Sequence, residues 1–407
     1  MSKKIILFLS EGKGNQEYQY SCPKGEPVTG VLTFEAPVKY LLREFPDVSE
    51  VLSIVTPVAR PTFPALEQVV QAQSPNVTVT AVPFGEEDFS AGPLSQIMAV
   101  VKQGDEILLE TTGGLRDAMM YLLLVSRALS YSGIKTAGAV YSNFGAKQIV
   151  DCSHLIDLFD LVGGMQEMAS FGSVHTLREY YQGREIEPEI NALLDTMERL
   201  KEDISLCQTS SIEKRIEAFN KAMEQAENCS DPLFRALLPA FQDKFGKKLT
   251  IPGLIKWCIN SDMLQQALTI YKERIPTYII NRKNPILSVR KNAPPPEGQT
   301  SYETEDEARF RTQLLSVGFL KNPERYLYNT DFEKGPSISY SRLRAILMDY
   351  AYIRLLRNKI NHANDQDGQS QGPVMDCLAE YGYKRVNDVR AADIRKALEG
   401  GLNNLKP

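Results

Sequence analysis

The chain has 407 residues, of which 43% are hydrophobic, enough for two or more domains with sizeable cores. Its formal net charge is −5, from 46 basic against 51 acidic side chains, which argues against stable DNA binding through bulk charge but leaves room for a local basic groove. The six cysteines are scattered without a CxxC pair, the pattern of reduced, structural thiols rather than of a zinc site. The apolar run after Met1-Ser2-Lys3-Lys4 is too short for a signal peptide, and no run reaches the roughly 18 apolar residues of a membrane span. A cytoplasmic protein without a membrane partner is expected.

The run Lys4-Ile5-Ile6-Leu7-Phe8-Leu9 predicts a strand buried on both faces of a parallel sheet. It leads into the polar, glycine-containing loop Ser10-Glu11-Gly12-Lys13-Gly14-Asn15-Gln16, and a hairpin or lid fits the stretch up to Gly30. Helical spacing follows at 34–45, a strand at 50–56, a helix at 61–74, an alternating strand at 76–82 and a helix at 93–103. A fourth strand at 105–110 enters Thr111-Thr112-Gly113-Gly114-Leu115-Arg116-Asp117 ahead of a helix at 118–131, and strands follow at 136–141 and 146–150. This alternation predicts a doubly wound, Rossmann-like α/β domain. In such sheets ligands lie beyond the carboxyl ends of the strands. The loops at 10–16 and 111–117 meet that condition. Glycines let the backbone approach a ligand, and the free N–H groups of a helix start favour an anion. The same Gly113-Gly114 pair also suits a plain tight turn. No Gly-Lys-Ser/Thr follows, so this is not a P-loop.

Residues 151–181 read as a connector, and beyond about Gly183 strand signals nearly vanish. Helical spacing recurs at 187–206, 211–228, 232–244, 252–271, 305–320, 376–382 and 391–402, which predicts an all-α second half. Three consecutive prolines make 290–298 a loop. From about Ser341, Leu343, Ile346, Leu347, Tyr350 and Ile353 form a helical stripe that leads to Arg357, Asn358, Asn361 and His362. His362 is one of only three histidines; the other two, His154 and His175, lack acidic or cysteine partners at metal spacing.

Arginine can hold a phosphate and its developing charge, and histidine can move protons near neutral pH. Arg357-x4-His362 is thus a metal-free toolkit for cutting RNA. Five residues apart, the two side chains diverge by about 140° on an ideal helix, so they suit a cleft between two helices, such as one across a two-fold axis. The bland alternative is a solvated cation and a capping side chain near a helix C-terminus.

Leu109-Glu110-Thr111-Thr112-Gly113-Gly114-Leu115-Arg116-Asp117 in an N-terminal α/β domain resembles a CARF domain, and Arg357-x4-His362 in a C-terminal helical domain resembles a HEPN domain. Together they resemble the CRISPR-associated CARF–HEPN ribonucleases of type III systems over nearly the whole chain. That family often carries a histidine within the Thr-Gly-Gly stretch, where this chain has Gly113. The resemblance implies a sensor domain over 1–170 and a helical connector and ribonuclease domain over 171–407. It implies a homodimer that binds a cyclic oligoadenylate, the tetra- or hexa-adenylate, as allosteric activator through Ser10, Gly12, Asn15, Thr111, Thr112, Gly113, Gly114 and Arg116. It implies metal-independent cleavage of single-stranded RNA to a 2′,3′-cyclic phosphate, with no cofactor. Arg357 and His362 would be the reacting pair, with Asn358 and Asn361 positioning RNA or the histidine. Slow cleavage of the activator in the first domain is compatible with the hydroxyls of that loop. A nucleotide-sensing regulator without catalysis is the alternative; an α/β enzyme acting at 111–117 lacks a nucleophile–base pair, and a helix-turn-helix reading lacks a basic recognition helix.

Overall fold

A computed structural model describes residues 2–12, 14, 16–85, 91–113, 116–280, 286–289, 316–328, 332–361 and 368–406. The chain forms two compact units, Met1–Asp160 and Leu161–Pro407.

The first unit is α/β. Its elements are β1 (Lys3–Phe8), the hairpin β2 (Tyr18–Tyr20) and β3 (Val28–Gly30), α1 (Glu35–Glu44), β4 (Val48–Val55), α2 (Phe63–Gln73) and β5 (Thr78–Pro83). Then follow α3 (Ala91–Val100), β6 (Glu106–Glu110), α4 (Arg116–Tyr131), β7 (Lys135–Asn143), β8 (Gln148–Asp151) and α5 (Ser153–Phe171), within which the unit ends. Six strands form one sheet in the order β5-β4-β1-β6-β7-β8. All neighbours are parallel except β7 and β8. The first two crossovers run one way from β1 and the later ones the other way, which is the doubly wound arrangement expected from the strand–helix alternation.

The unbroken apolar run of β1 follows from coverage on both faces. Ile5, Leu7 and Leu9 join Phe34, Val38 and Leu41 from the α1 region and Leu66 and Val70 of α2. Ile6 and Phe8 join Ile97 of α3 and Tyr121, Leu122 and Val125 of α4 on the other face. Burying one such aliphatic side chain is worth roughly 1.5–3 kcal/mol. The direction of β8 follows from its short link: the turn after Asn143 is too short for a crossover, so the chain folds straight back.

The second unit is largely helical: α6 (His175–Tyr181), α7 (Pro188–Ser205), α8 (Ile212–Ala226), α9 (Pro232–Phe245), α10 (Ile251–Asn260), α11 (Leu264–Ile279), α12 (Val317–Lys321), α13 (Pro323–Tyr328), α14 (Tyr340–Asn361), α15 (Gly368–Glu380) and α16 (Ala391–Leu405). A two-stranded ribbon of β9 (Leu287–Val289) and β10 (Phe332–Lys334) interrupts the helices. Where sequence spacing predicts one helix over 252–271, two form. The Asn260-Ser261-Asp262 cluster breaks them, with Asp262 in the left-handed region at φ 57°. The proline-rich stretch 290–298 and most of the helix expected at 305–320 lie outside the described residues.

The centre of this unit is α14. The expected stripe Leu343, Ile346, Leu347, Tyr350 and Ile353 is buried, and so are Met348, Ala351, Tyr352, Leu355 and Leu356. A helix apolar on one side only would leave the latter exposed; this one packs against α11, α15 and α16. Its buried Asp349 accepts from Tyr383 Oη at 2.8 Å and Asn404 Nδ2 at 2.7 Å, so the polar group within the core has a partner for each oxygen.

Candidate functional site

In the first unit the strand order reverses between β1 and β6. The loops that leave these two strands are the two glycine-containing loops singled out from the sequence. They touch. A Cβ added to Gly113 would lie 2.2 Å from Phe8 O and 3.3 Å from Ser10 N, so only glycine lets the loop after β6 lie against the end of β1. Gly14 is held as closely, with a Cβ falling 2.3 Å from Val31 O.

Side chains from neighbouring elements hold both loops. Ser10 Oγ and Thr33 Oγ1 are 2.5 Å apart, and Gly12 N donates to Thr62 Oγ1 at 2.8 Å. Thr112 is tied twice: its N donates to Glu110 Oε1 at 2.7 Å, and its Oγ1 accepts from Ser142 N at 2.7 Å. Thr111 is placed differently. Its side chain is buried and its Oγ1 donates to Val140 O at 3.0 Å, so it closes the β6–β7 seam beneath the surface. Gly113 therefore meets Phe8 and Ser10 at the reversal point, with Thr112 next to it in the chain, while Gly12 lies against Thr62 after β4. Asn15 and Gly114 lie outside the described residues, and Arg116 is described only as the first residue of α4.

Glu110, Thr33, Thr62 and Ser142 were not foreseen as parts of this site. The last three reach it through tertiary placement, for which one sequence carries no signal. Glu110 did leave a sign: it is an acid in a strand otherwise buried on both faces. It is 0% exposed and burial raises its carboxyl to about 7, against the pull of the hydrogen bond from Thr112.

In the second unit Arg357, Asn358 and Asn361 occupy the last turn of α14. Buried Leu355 and Leu356 anchor that turn, while Arg357 and Asn358 are half-buried and Asn361 is exposed. The Asn361 amide lies 3.1 Å from both Nε and Nη2 of Arg357. Both nitrogens are donors, so the amide oxygen belongs on that side and accepts from each. This pairing one turn apart fixes the guanidinium plane and leaves its outer edge for another acceptor. His362 lies outside the described residues. Arg354, one turn earlier, is half-buried.

Among the described residues there is no group of three or more His, Cys, Asp or Glu side chains that could hold a metal, and no helix is long and apolar enough to cross a membrane. No protein-family model and no curated protein matches the chain. Among solved structures it is similar to Csm6 of Enterococcus italicus bound to cyclic hexa-2′-fluoro-hexa-dAMP, at 11% identity over 99% of this chain and 100% of that one, with a TM-score of 0.36. A likeness this distant assigns neither a ligand nor an activity.

Proposed function

We propose that the chain is a cytoplasmic, nucleotide-gated endoribonuclease of type III CRISPR defence: a cyclic oligoadenylate binds the first unit and activates RNA cleavage in the second. The observation that carries the reading is the meeting of the two glycine loops at the reversal point of the sheet. A ring of phosphodiesters is polyanionic, while the whole chain has a net charge of −5, so affinity must come from aimed backbone N–H groups rather than bulk charge. In this reading Ser10 and Gly113 supply such a surface, Asn15, Gly114 and Arg116 are its further proposed contacts, and Gly12 and Thr112, whose N–H groups are held by Thr62 and Glu110, shape the two loops. Thr111 contributes through its place in the seam.

A homodimer is part of the reading. α4 exposes Met120 at 72%, Leu124 at 52% and Tyr131 at 94%, and α5 exposes Leu155 and Phe159 beside them. Arg127 Nη1 and Asp160 Oδ1, 3.0 Å apart, tie these two helices together. We read these exposed apolar side chains on two ion-paired helices as a partner surface, where a second copy would place two ligand loops around one cyclic ligand.

Two copies of the α14 end then face one RNA strand. The 2′-hydroxyl attacks the adjacent phosphorus as His362 takes its proton, and the 5′-oxygen leaves with a proton from a second acid, giving a 2′,3′-cyclic phosphate and a 5′-hydroxyl. Arg357, its plane set by Asn361, stabilises the charge that builds on the phosphorane oxygens. Asn358 positions the strand. This chemistry has no step that needs a metal. Replacing Arg357 by Ala tests it: cleavage of single-stranded RNA is expected to fall by about 100-fold or more while dimerisation and nucleotide binding stay unchanged. Wild-type protein that binds the nucleotide and never cuts RNA would leave a sensor without catalysis.

A further inference from the structure

The carboxyl of Glu110 has one feature that the ligand loop does not explain. Oε1 accepts the Thr112 N–H at 2.7 Å, but Oε2 is buried without a hydrogen-bond partner. The residue is 0% exposed. It stands at the carboxyl end of β6, paired with Leu7 of β1 on one side and Val140 of β7 on the other, directly under the reversal point. In the same row, Ser53 of β4 pairs with Leu7, and its Oγ is also buried without a partner. Among the described residues an ionised carboxylate in this position is held by Thr112 alone and has no cation; a neutral carboxyl needs none.

We infer that Glu110 is the positioning residue of the switch-point loop, and that it takes up a proton from solvent when an anionic nucleotide binds against Thr112 and Gly113. The inference rests on the nucleotide reading above. Two effects point the same way. A second negative charge beside a buried carboxylate disfavours its ionised form. A neutral carboxyl also holds the Thr112 N–H more weakly than a carboxylate does, which releases that donor to the ligand.

The surroundings leave Glu110 as the group that titrates near neutrality. Among the described side chains no charged group acts on it, and Thr112 is its only hydrogen-bond donor. Asp151 closes β8 in the same row, paired with Val140 and bonded to Ser153. The other titratable neighbours are Cys152 after β8, raised by its burial and then by Asp151 and Glu110, and Tyr20 of β2 and Tyr40 of α1 in the core on the same face of the sheet, each raised by burial. Cys152, Tyr20 and Tyr40 stay neutral where Glu110 changes state.

The test uses the full chain labelled with 15N-threonine, with the Thr112 amide assigned by its loss in Thr112→Ser. In the wild type that amide is expected to shift through one titration between pH 5.5 and 8.5, and in Glu110→Gln to stay still. Affinity for cyclic tetra- or hexa-adenylate is expected to weaken in the wild type by up to tenfold per pH unit above the midpoint, and to be flat in Glu110→Gln. A Thr112 amide that does not move in the wild type, or moves alike in both proteins, overturns the positioning role. Tight binding with no pH dependence overturns the proton uptake. If neither nucleotide binds at any pH, the nucleotide reading fails and the linkage with it, while the Thr112 titration still decides the positioning role.

Discussion

Gly113 carries the tightest requirement among the described glycines. A methyl group there meets the Phe8 carbonyl at 2.2 Å, and a backbone carbonyl in a paired strand has nowhere to go. Gly113→Ala is expected to cost about 1–3 kcal/mol by overpacking and to weaken nucleotide binding at least tenfold, read by thermal unfolding and by titration calorimetry. A variant with wild-type stability and affinity would mean that the two loops do not lie together. Glu110, three residues earlier at the end of β6, affects stability through pH. Its folded carboxyl is raised to about 7 from an ordinary 4.5, so between those values the folded protein binds a proton that the unfolded chain has lost. Stability from this group is therefore full below about pH 4.5 and is lost as pH rises towards 7, an effect of order 3 kcal/mol at most. Glu110→Gln is expected to melt higher than the wild type at pH 8 and nearly alike at pH 5. In the proposed cleavage the Arg357 guanidinium acts through its shape as well as its charge. Arg357→Lys keeps the cation but loses the two-pronged contact with Asn361, and is expected to cleave at least tenfold more slowly than wild type in single-turnover assays.

At the scale of elements, the long central helix is the part whose loss the second unit can least absorb. Leu347→Ala, in a residue with no exposed surface, is expected to cost about 3 kcal/mol, measurable as a lower midpoint in urea. A capping change is milder: Asp231 accepts from the N–H groups of Leu233 and Phe234 at the start of α9, so Asp231→Ala should cost about 1 kcal/mol. The elements differ in how far they could be read beforehand. β1 was legible because a strand covered on both faces must be apolar throughout, and the buried stripe of α14 because its 3.6-residue spacing is local. Asp262 shows where local reading stops. The apolar spacing runs on through 252–271, and a left-handed turn separates α10 from α11 within it. The ribbon of β9 and β10 was equally hidden, since its strands lie more than 40 residues apart and each is three residues long. Within the site, the glycines and hydroxyls of 111–114 announced themselves by position before a helix. The burial of Thr111 against Val140 and the contacts from Thr33, Thr62 and Ser142 depend on which strands become neighbours.

On the scale of the whole molecule, the account joins a sensor to a nuclease through a second copy of the chain. The exposed face of α4 and α5 gives that pairing a direct check: Leu124→Glu is expected to convert a dimer to a monomer in light scattering, with the fold of the unit unchanged in circular dichroism. Coupling between the units requires the nucleotide to bind the active dimer more tightly than the resting one, because a ligand shifts an equilibrium only by its difference in affinity. The most direct measurement is cleavage of a fluorescent single-stranded RNA in EDTA as cyclic tetra- or hexa-adenylate is titrated in. The account predicts a rate that is low without nucleotide, rises with one of the two rings and saturates. A rate indifferent to both rings, or cleavage that appears only when divalent metal is restored, would contradict it.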